Sequence, residues 1–323
     1  MCTAVSYKTN SHYFGRNLDL YYSYNETVAV TPRNYPFSFR RMPTLDTHYA
    51  MIGMATVVDG YPLYYEATNE VGLSMAGLNF PESAAYFPYA EGMDNVTPFE
   101  LITWILGQCK NVVEAREMLS RINLLGEDFS EELPLSPLHF MISDRDRSIV
   151  AESVTDGMKI YDNPARVLTN EPPFDYHMLN LRNYMGVTAS APINRFSDEL
   201  EMKPYSLGMG SLGLPGDMSS ASRFVRGAFV TLNSVADESE DDSVSQFFHI
   251  LQSVAQPRGC TEVDGKHEYT LYSSCCNTDT GVYYYTTYGN SRISAVHMKR
   301  CDPYGGEVVT FPLVKKQQVL WQN

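Results

Sequence analysis

The sequence has no uninterrupted apolar run long enough to span a bilayer. Its start lacks the basic segment and apolar stretch of a secretory signal: Met1 is followed by Cys2, Thr3, Ala4, Val5, Ser6, Tyr7 and Lys8. Both absences predict a cytoplasmic protein, in which the six cysteines stay reduced. Those cysteines (Cys2, Cys109, Cys260, Cys275, Cys276, Cys301) form no CxxC pair and no zinc spacing. Cys275 and Cys276 are adjacent, so in a strand they point to opposite faces. No histidine follows the HExxH pattern, and His139, within an apolar run, reads as a satisfied core residue. The residue pattern therefore predicts no metal. Basic residues are scarce, 24 against 38 acidic, and the net charge of -14 repels phosphate backbones and disfavours nucleic acid as a partner. Gly208 to Gly213 mimics a nucleotide loop but lacks the flanking strand and helix that such a loop needs. Internal repeats, low-complexity tracts and long linkers are also missing, which predicts a single domain over residues 1–323.

What is present is a hydrophobic fraction of 44% and 23 tyrosines, enough for a large core with many half-buried strands. Short apolar runs predict strands over Thr3 to Tyr7 and His12 to Leu18, joined at Thr9-Asn10-Ser11. Asp59-Gly60 between Tyr49 to Val58 and Tyr61 to Thr68 is a strong hairpin signal. Asn69 to Gly72 turns into a further strand, Leu73 to Phe80. Thr97-Pro98-Phe99-Glu100 reads as a capping box, with Gly107 ending the helix. A second helix is expected from Asn111 to about Ile122. Strands return at His139 to Ile142, Ser148 to Val154, Met158 to Tyr161 and Arg166 to Thr169, followed by a helix over Phe174 to Tyr184. Ser219 or Ser220 caps a helix whose expected apolar face is Phe224, Ala228, Phe229, Leu232 and Val235. Asp237, Glu238, Glu240, Asp241 and Asp242 read as a solvated loop. Val244, Phe247, Phe248, Leu251 and Val254 mark the next helix. The last strands are His267 to Tyr272, Val282 to Tyr288, Ile293 to Lys299 and Glu307 to Phe311. Strands, helices, strands, helices, strands is the order of a layered α+β fold.

Chemistry enters at Cys2. Removal of Met1, as is common before a small residue, leaves a thiol and a free α-amine on one residue. Their unperturbed pKa values are roughly 8.5 and roughly 8, so the amine can serve as the base for the thiol. The strand carrying Arg16-Asn17-Leu18-Asp19 is the hairpin partner of the first strand, which brings that corner close to Cys2. Arg16 there would lower the thiol pKa, and Asp19 would orient the α-ammonium.

Met1-Cys2-Thr3 followed by Phe14 to Asp19 resembles the choloylglycine hydrolase family of bile salt hydrolases and penicillin V acylases. Asn69 to Phe80, Thr97 to Ile102, Leu168-Thr169-Asn170 with Pro172, and Leu214 to Arg226 extend the resemblance over nearly the whole chain. It implies a four-layer αββα N-terminal nucleophile hydrolase fold and an amide hydrolase that needs neither metal nor organic cofactor. It also implies roles for Asn79 and Asn170 as oxyanion-hole residues and for Arg223 as an active-site arginine. Within the family, Asn at position 79 accompanies conjugated bile salts as substrates, whereas Tyr accompanies penicillin V. The expected substrate is thus a glycine- or taurine-conjugated bile salt. Penicillin V is the alternative, and a non-catalytic ligand binder of the same fold is a more distant one. An amphipathic steroid needs a broad apolar cleft. The candidate lining is Leu20, Tyr22 and Tyr24 after Asp19, with Phe129, Leu133 and Leu135 before His139; ordinary loop packing is the competing reading for each. The extension Ala191 to Leu214 corresponds to a family segment that contributes to tetramer contacts, so a homotetramer is implied.

Overall fold

The computed structural model describes residues 1–323. Six strands come first: β1 (Cys2–Lys8), β2 (His12–Leu20), β3 (Thr27–Thr31), β4 (Met51–Val58), β5 (Tyr61–Asn69) and β6 (Ser74–Asn79). Short β7 (Asp94–Val96), helices α1 (Leu101–Gln108) and α2 (Val112–Leu119), and β8 (Ile122–Leu124) follow. Next are β9 (Leu138–Ser143), β10 (Ser148–Val154), β11 (Gly157–Asp162) and β12 (Val167–Leu168). Helices α3 (Phe174–Asn180), α4 (Ser220–Asn233) and α5 (Glu240–Gln252) precede the small hairpin β13 (Glu262–Val263) and β14 (Lys266–His267). The chain closes with β15 (Tyr269–Asn277), β16 (Val282–Thr287), β17 (Asn290–His297) and β18 (Val309–Pro312).

Two antiparallel sheets face each other. One has the order β12-β1-β2-β15-β16-β17, the other β11-β10-β9-β6-β5-β4-β3-β18. Side-chain alternation builds four layers from them. In the eight-stranded sheet, Ile52, Met54, Ala76, Leu78, Met141 and Val150 join the core shared with the other sheet. Their neighbours Met51, Ala55, Met75, Phe140, Ile142, Ile149 and Ala151 join the core under α1 and α2. Helices α4 and α5 cover the outer face of the six-stranded sheet, with Phe224, Ala228, Phe247 and Leu251 buried against it. The layers are α1/α2, sheet, sheet, α4/α5, as the αββα expectation requires.

Local chemistry explains most elements. Asp59 and Gly60 both take positive φ, 49° and 83°, the geometry of the tight turn that Asp-Gly favours. Ser219, not Ser220, caps α4: its Oγ accepts from Ser222 N. Asn111 and Ser239 cap α2 and α5 in the same way.

Several expectations need correcting. The acidic run is not a loop throughout: Glu240, Asp241 and Asp242 form the first turn of α5, where negative charge complements the helix dipole. Glu100 does reach back to Thr97 N at 3.1 Å, but Thr97 Oγ1 donates to the same carboxylate and the helix starts only at Leu101. Gly107 lies inside α1, and Ile122 belongs to β8 rather than to α2. Leu232 is exposed because the sheet-facing stripe of α4 runs through Arg223, Phe224, Gly227, Ala228 and Thr231, and Val235 is exposed beyond the helix end at Asn233. An arginine inside that stripe defeats a purely apolar periodicity.

Candidate active site

Cys2 opens β1 and pairs across the ladder with Leu18 of β2. Even-numbered residues of both strands face the eight-stranded sheet, so Cys2, Arg16, Leu18 and Leu20 share one face. That face ends in a cleft of about 370 Å³. Of its 23 lining residues, 15 are hydrophobic, Cys2 counted among them, so its walls suit an apolar ligand while Arg16 and Asn79 add polar groups beside the Cys2 thiol. All six residues expected as the apolar lining are there: Leu20, Tyr22, Tyr24, Phe129, Leu133 and Leu135. Leu63, Pro98, Phe99 and Ile102 are among the other wall residues and carry no sequence signal, since nothing local ties β5 or the start of α1 to Cys2.

Behind Cys2 lies a dense polar cluster. Asn170, two residues after the end of β12, accepts at Oδ1 from the Cys2 backbone N–H and from Arg223 Nη2, both at 2.8 Å. Its Nδ2 donates to the Asn79 carbonyl at 2.8 Å. Its own backbone is held too: the N–H donates to Ser220 Oγ, and the carbonyl bonds to the His177 ring at 2.9 Å. Ser220, released from capping, thus acts as a prop for Asn170. His139 bridges the Glu152 carboxylate at 2.9 Å and the Thr169 carbonyl at 3.0 Å, so it is the satisfied core residue expected. Arg223 reaches from α4 to the Cys2 carbonyl and donates to Thr3 Oγ1 at 2.7 Å.

Arg16 is fully buried. Its Nη1 donates to the carbonyls of Tyr65 at 3.0 Å and Gly77 at 2.5 Å, while Nη2 has no protein partner. Asp19 accepts from Thr270 Oγ1 at 2.6 Å through Oδ1, and its Oδ2 is also unpaired. Burial pushes the Asp19 carboxyl pKa up, against the pull of Arg223, the α-amine, Thr270 and Arg16. The Met1 ammonium donates to the Asp19 carbonyl at 2.8 Å and pairs with Glu268; burial pushes its pKa down. Glu268 and Thr270 had no signal in the sequence, because the ladder between β2 and β15 alone brings them here. Cys2, Arg16, Asp19, Asn79, Asn170 and Arg223 are therefore one constellation. Its chemical content is a thiol, two amides, two guanidiniums and a carboxylate next to the chain's amine. No group of three or more His, Cys, Asp or Glu side chains is placed to hold a metal ion.

Residues 2–311 match the family described as "Linear amide C-N hydrolases, choloylglycine hydrolase family". A bile salt hydrolase/transferase of Lactiplantibacillus plantarum is 54% identical over 98% of each chain. The crystal structure of a C2A mutant of the conjugated bile acid hydrolase from Clostridium perfringens is similar over 100% of both chains, with TM-score 0.92 and 36% identity. Penicillin V acylase from Agrobacterium tumefaciens shares the fold, with TM-score 0.77 at 19% identity over 96% of this chain and 91% of that one. With a cysteine at position 2, this cluster behind it and a match across 2–311, the chain belongs to the choloylglycine hydrolase family of linear amide C–N hydrolases.

Proposed function

We propose that this enzyme hydrolyses the amide bond of glycine- or taurine-conjugated bile acids, with Cys2 as nucleophile at a free N-terminus. The observation that carries the reading is the opening of Cys2 onto a cleft with aliphatic and aromatic walls. The names of relatives at 54% and 37% identity, both bile salt hydrolase/transferase, support it.

Loss of Met1 turns the Cys2 N–H that now faces Asn170 into the α-amine. The Cys2 sulfur attacks the amide carbonyl as the amine takes the thiol proton. Asn170 has one Nδ2 hydrogen on the Asn79 carbonyl and a second available for the oxyanion, which the exposed Asn79 side chain joins from the cleft. The C–N bond breaks, the amine passes its proton to the leaving nitrogen, and a thioester remains. Water, deprotonated by the same amine, cleaves the thioester to a free carboxylate and restores the thiol. Arg16 places a buried positive charge on the cleft wall it shares with Cys2, and Arg223 locks Asn170. Asp19 balances the ammonium that forms transiently.

The steroid is the recognised part, held by Leu20, Tyr22, Tyr24, Phe129, Leu133 and Leu135. The chain acts as one domain in the cytoplasm. A homotetramer is supported by apolar side chains exposed along the extension, among them Phe196, Tyr205 and Leu207; light scattering checks it. No helix is long and apolar enough to cross a membrane. The test of substrate class is release of amino acid from glycocholate and taurocholate beside hydrolysis of penicillin V. A higher kcat/KM for the bile salts is expected. A higher value for penicillin V contradicts the substrate and leaves the Cys2 chemistry standing.

A further inference from the structure

Glu66 lies on β5 and is 2% exposed, yet it lines no part of the cleft and has no place in the reaction above. Its carboxylate crosses the space between the sheets. Oε2 accepts from the Tyr272 hydroxyl at 2.8 Å, and Oε1 accepts from Ser274 Oγ at 2.9 Å and the Tyr283 hydroxyl at 2.5 Å. Arg16 Nε stands 3.9 Å from Oε2. Donors on β2, β15 and β16 of one sheet thus converge on a single acceptor from the other. A buried carboxylate is costly unless it is paired and hydrogen-bonded; burial pushes the Glu66 pKa up, and the Arg16 guanidinium and the three hydroxyls pull against that rise.

The same strand holds Arg16 twice. The Tyr65 carbonyl, one residue from Glu66, takes one bond from Nη1, and the Glu66 carboxylate sits beside Nε. The buried Nη2 is left without a protein partner in a residue that shares the cleft wall with Cys2. A guanidinium next to a thiol favours the thiolate. A carboxylate paired with that guanidinium offsets part of the effect. The balance matters, because a thiol acidified too far is a weaker nucleophile.

We propose that Glu66 is a positioning residue for the reaction: held by Tyr272, Tyr283 and Ser274, it fixes the Arg16 guanidinium beside Cys2 and offsets part of its charge. This rests on Cys2 being the nucleophile. The other charged or titratable groups around the pair are Asp19 on β2, the α-amine at the start of β1, Arg223 on α4, Tyr65 on β5 and Cys276 on β15. None of them is substituted in the variants below.

The experiment uses the full chain with Met1 removed. It reads the pH dependence of Cys2 alkylation by iodoacetamide, together with kcat and KM for glycocholate. Glu66→Gln keeps the size and one acceptor oxygen while deleting the charge. It is expected to move the alkylation midpoint to lower pH by about one unit. Turnover should fall on the order of tenfold in kcat with KM little changed. Glu66→Asp should return the midpoint part of the way to that of the unmodified enzyme. Tyr283→Phe, which weakens the hold on the ionised carboxylate, covers the case in which Glu66→Gln does not fold; it should move the midpoint in the same direction by less. An unmoved midpoint in a folded variant, or a move to higher pH, overturns the proposal. If Cys2→Ala retains activity, the nucleophile reading fails and takes this proposal with it. If Cys2→Ala is inactive while the Glu66→Gln profile matches that of the unmodified enzyme, the proposal alone fails.

Discussion

Asn170 is held at every polar atom it has. Ser220 and His177 fix its backbone, Cys2 and Arg223 fix Oδ1, and the Asn79 carbonyl fixes Nδ2. Such a side chain cannot swing to a new rotamer without breaking several bonds, so its second Nδ2 hydrogen keeps one direction. A fixed donor aimed at a developing charge contributes more to the transition state than to binding. Asn170→Ala is therefore expected to lower kcat on the order of 10²–10³-fold, with a smaller change in KM. Steady-state kinetics on glycocholate check it, and a variant that changes KM alone would remove Asn170 from the oxyanion account. Residues of this site differ in how visible they are in sequence. Cys2, Arg16 and Asp19 are readable because one hairpin brings them together. Asn79, Asn170 and Arg223 come only with the family resemblance, since an Asn at a strand end or an Arg on a helix has no local mark of function. Glu66, Thr270 and Glu268 carried no mark at all: their partners are set by pairing between distant strands and by the packing of one sheet on the other.

At the scale of elements, the segment from Glu127 to Leu135 forms one wall of the cleft, and its anchors lie outside it. Arg40 donates to the Phe129 carbonyl and stacks on Phe99, with its guanidinium 5.1 Å from the ring centre. Phe99 and Phe129 meet edge to face at 5.2 Å. Leu20→Ala combined with Phe129→Ala should weaken binding of glycine and taurine conjugates together, since both share the steroid. The expected rise in KM is on the order of tenfold or more for two truncated apolar contacts. Dependence on the amino acid instead would mean that the wall reads the other end of the substrate. The first residue of β2 carries another testable element. His12 bonds to Ser6 Oγ and Thr278 Oγ1, both at 2.9 Å. Burial pushes its pKa down to about 4, against the pull of Asp144 and Asp279, while Arg166 and Arg145 push it further down. The unfolded chain then binds a proton, below about pH 6.5, that the folded chain refuses until about pH 4. The stability advantage of the natural protein over His12→Gln should be constant above about pH 7.5. It should shrink by up to about 3 kcal/mol on descent to about pH 4. Urea unfolding at several pH values measures it; an advantage that grows in acid would mean that His12 is charged in the fold. The elements themselves were legible where pattern agreed with a turn or capping signal, as at the Asp59-Gly60 hairpin and at the Asn111 cap of α2. They were not legible at β3, or at β7 and β8, where strands of five residues or fewer depend on distant partners. The acidic run failed as a loop because Ser239 caps it and the helix dipole welcomes its charge.

For the whole molecule, the order of strands and helices already implied layers, and the four-layer stack follows from two-sided sheets that must bury both faces. That stack is what gives Cys2 its setting. Ladder pairing brings β1, β2 and β15 together at the chain start, and α4 closes one side with Arg223. The facing sheet supplies Glu66, Gly77 and Asn79 from the other. The mechanism demands one further change of the whole chain, the loss of Met1, whose ammonium now sits against Glu268 and the Asp19 carbonyl. The most direct measurement is the intact mass of an actively turning-over preparation, taken before and immediately after an acid quench with glycocholate. The account predicts a chain beginning at Cys2 and, after the quench, a population heavier by one cholyl group that is absent in Cys2→Ala. Full turnover by protein that uniformly retains Met1 would contradict it.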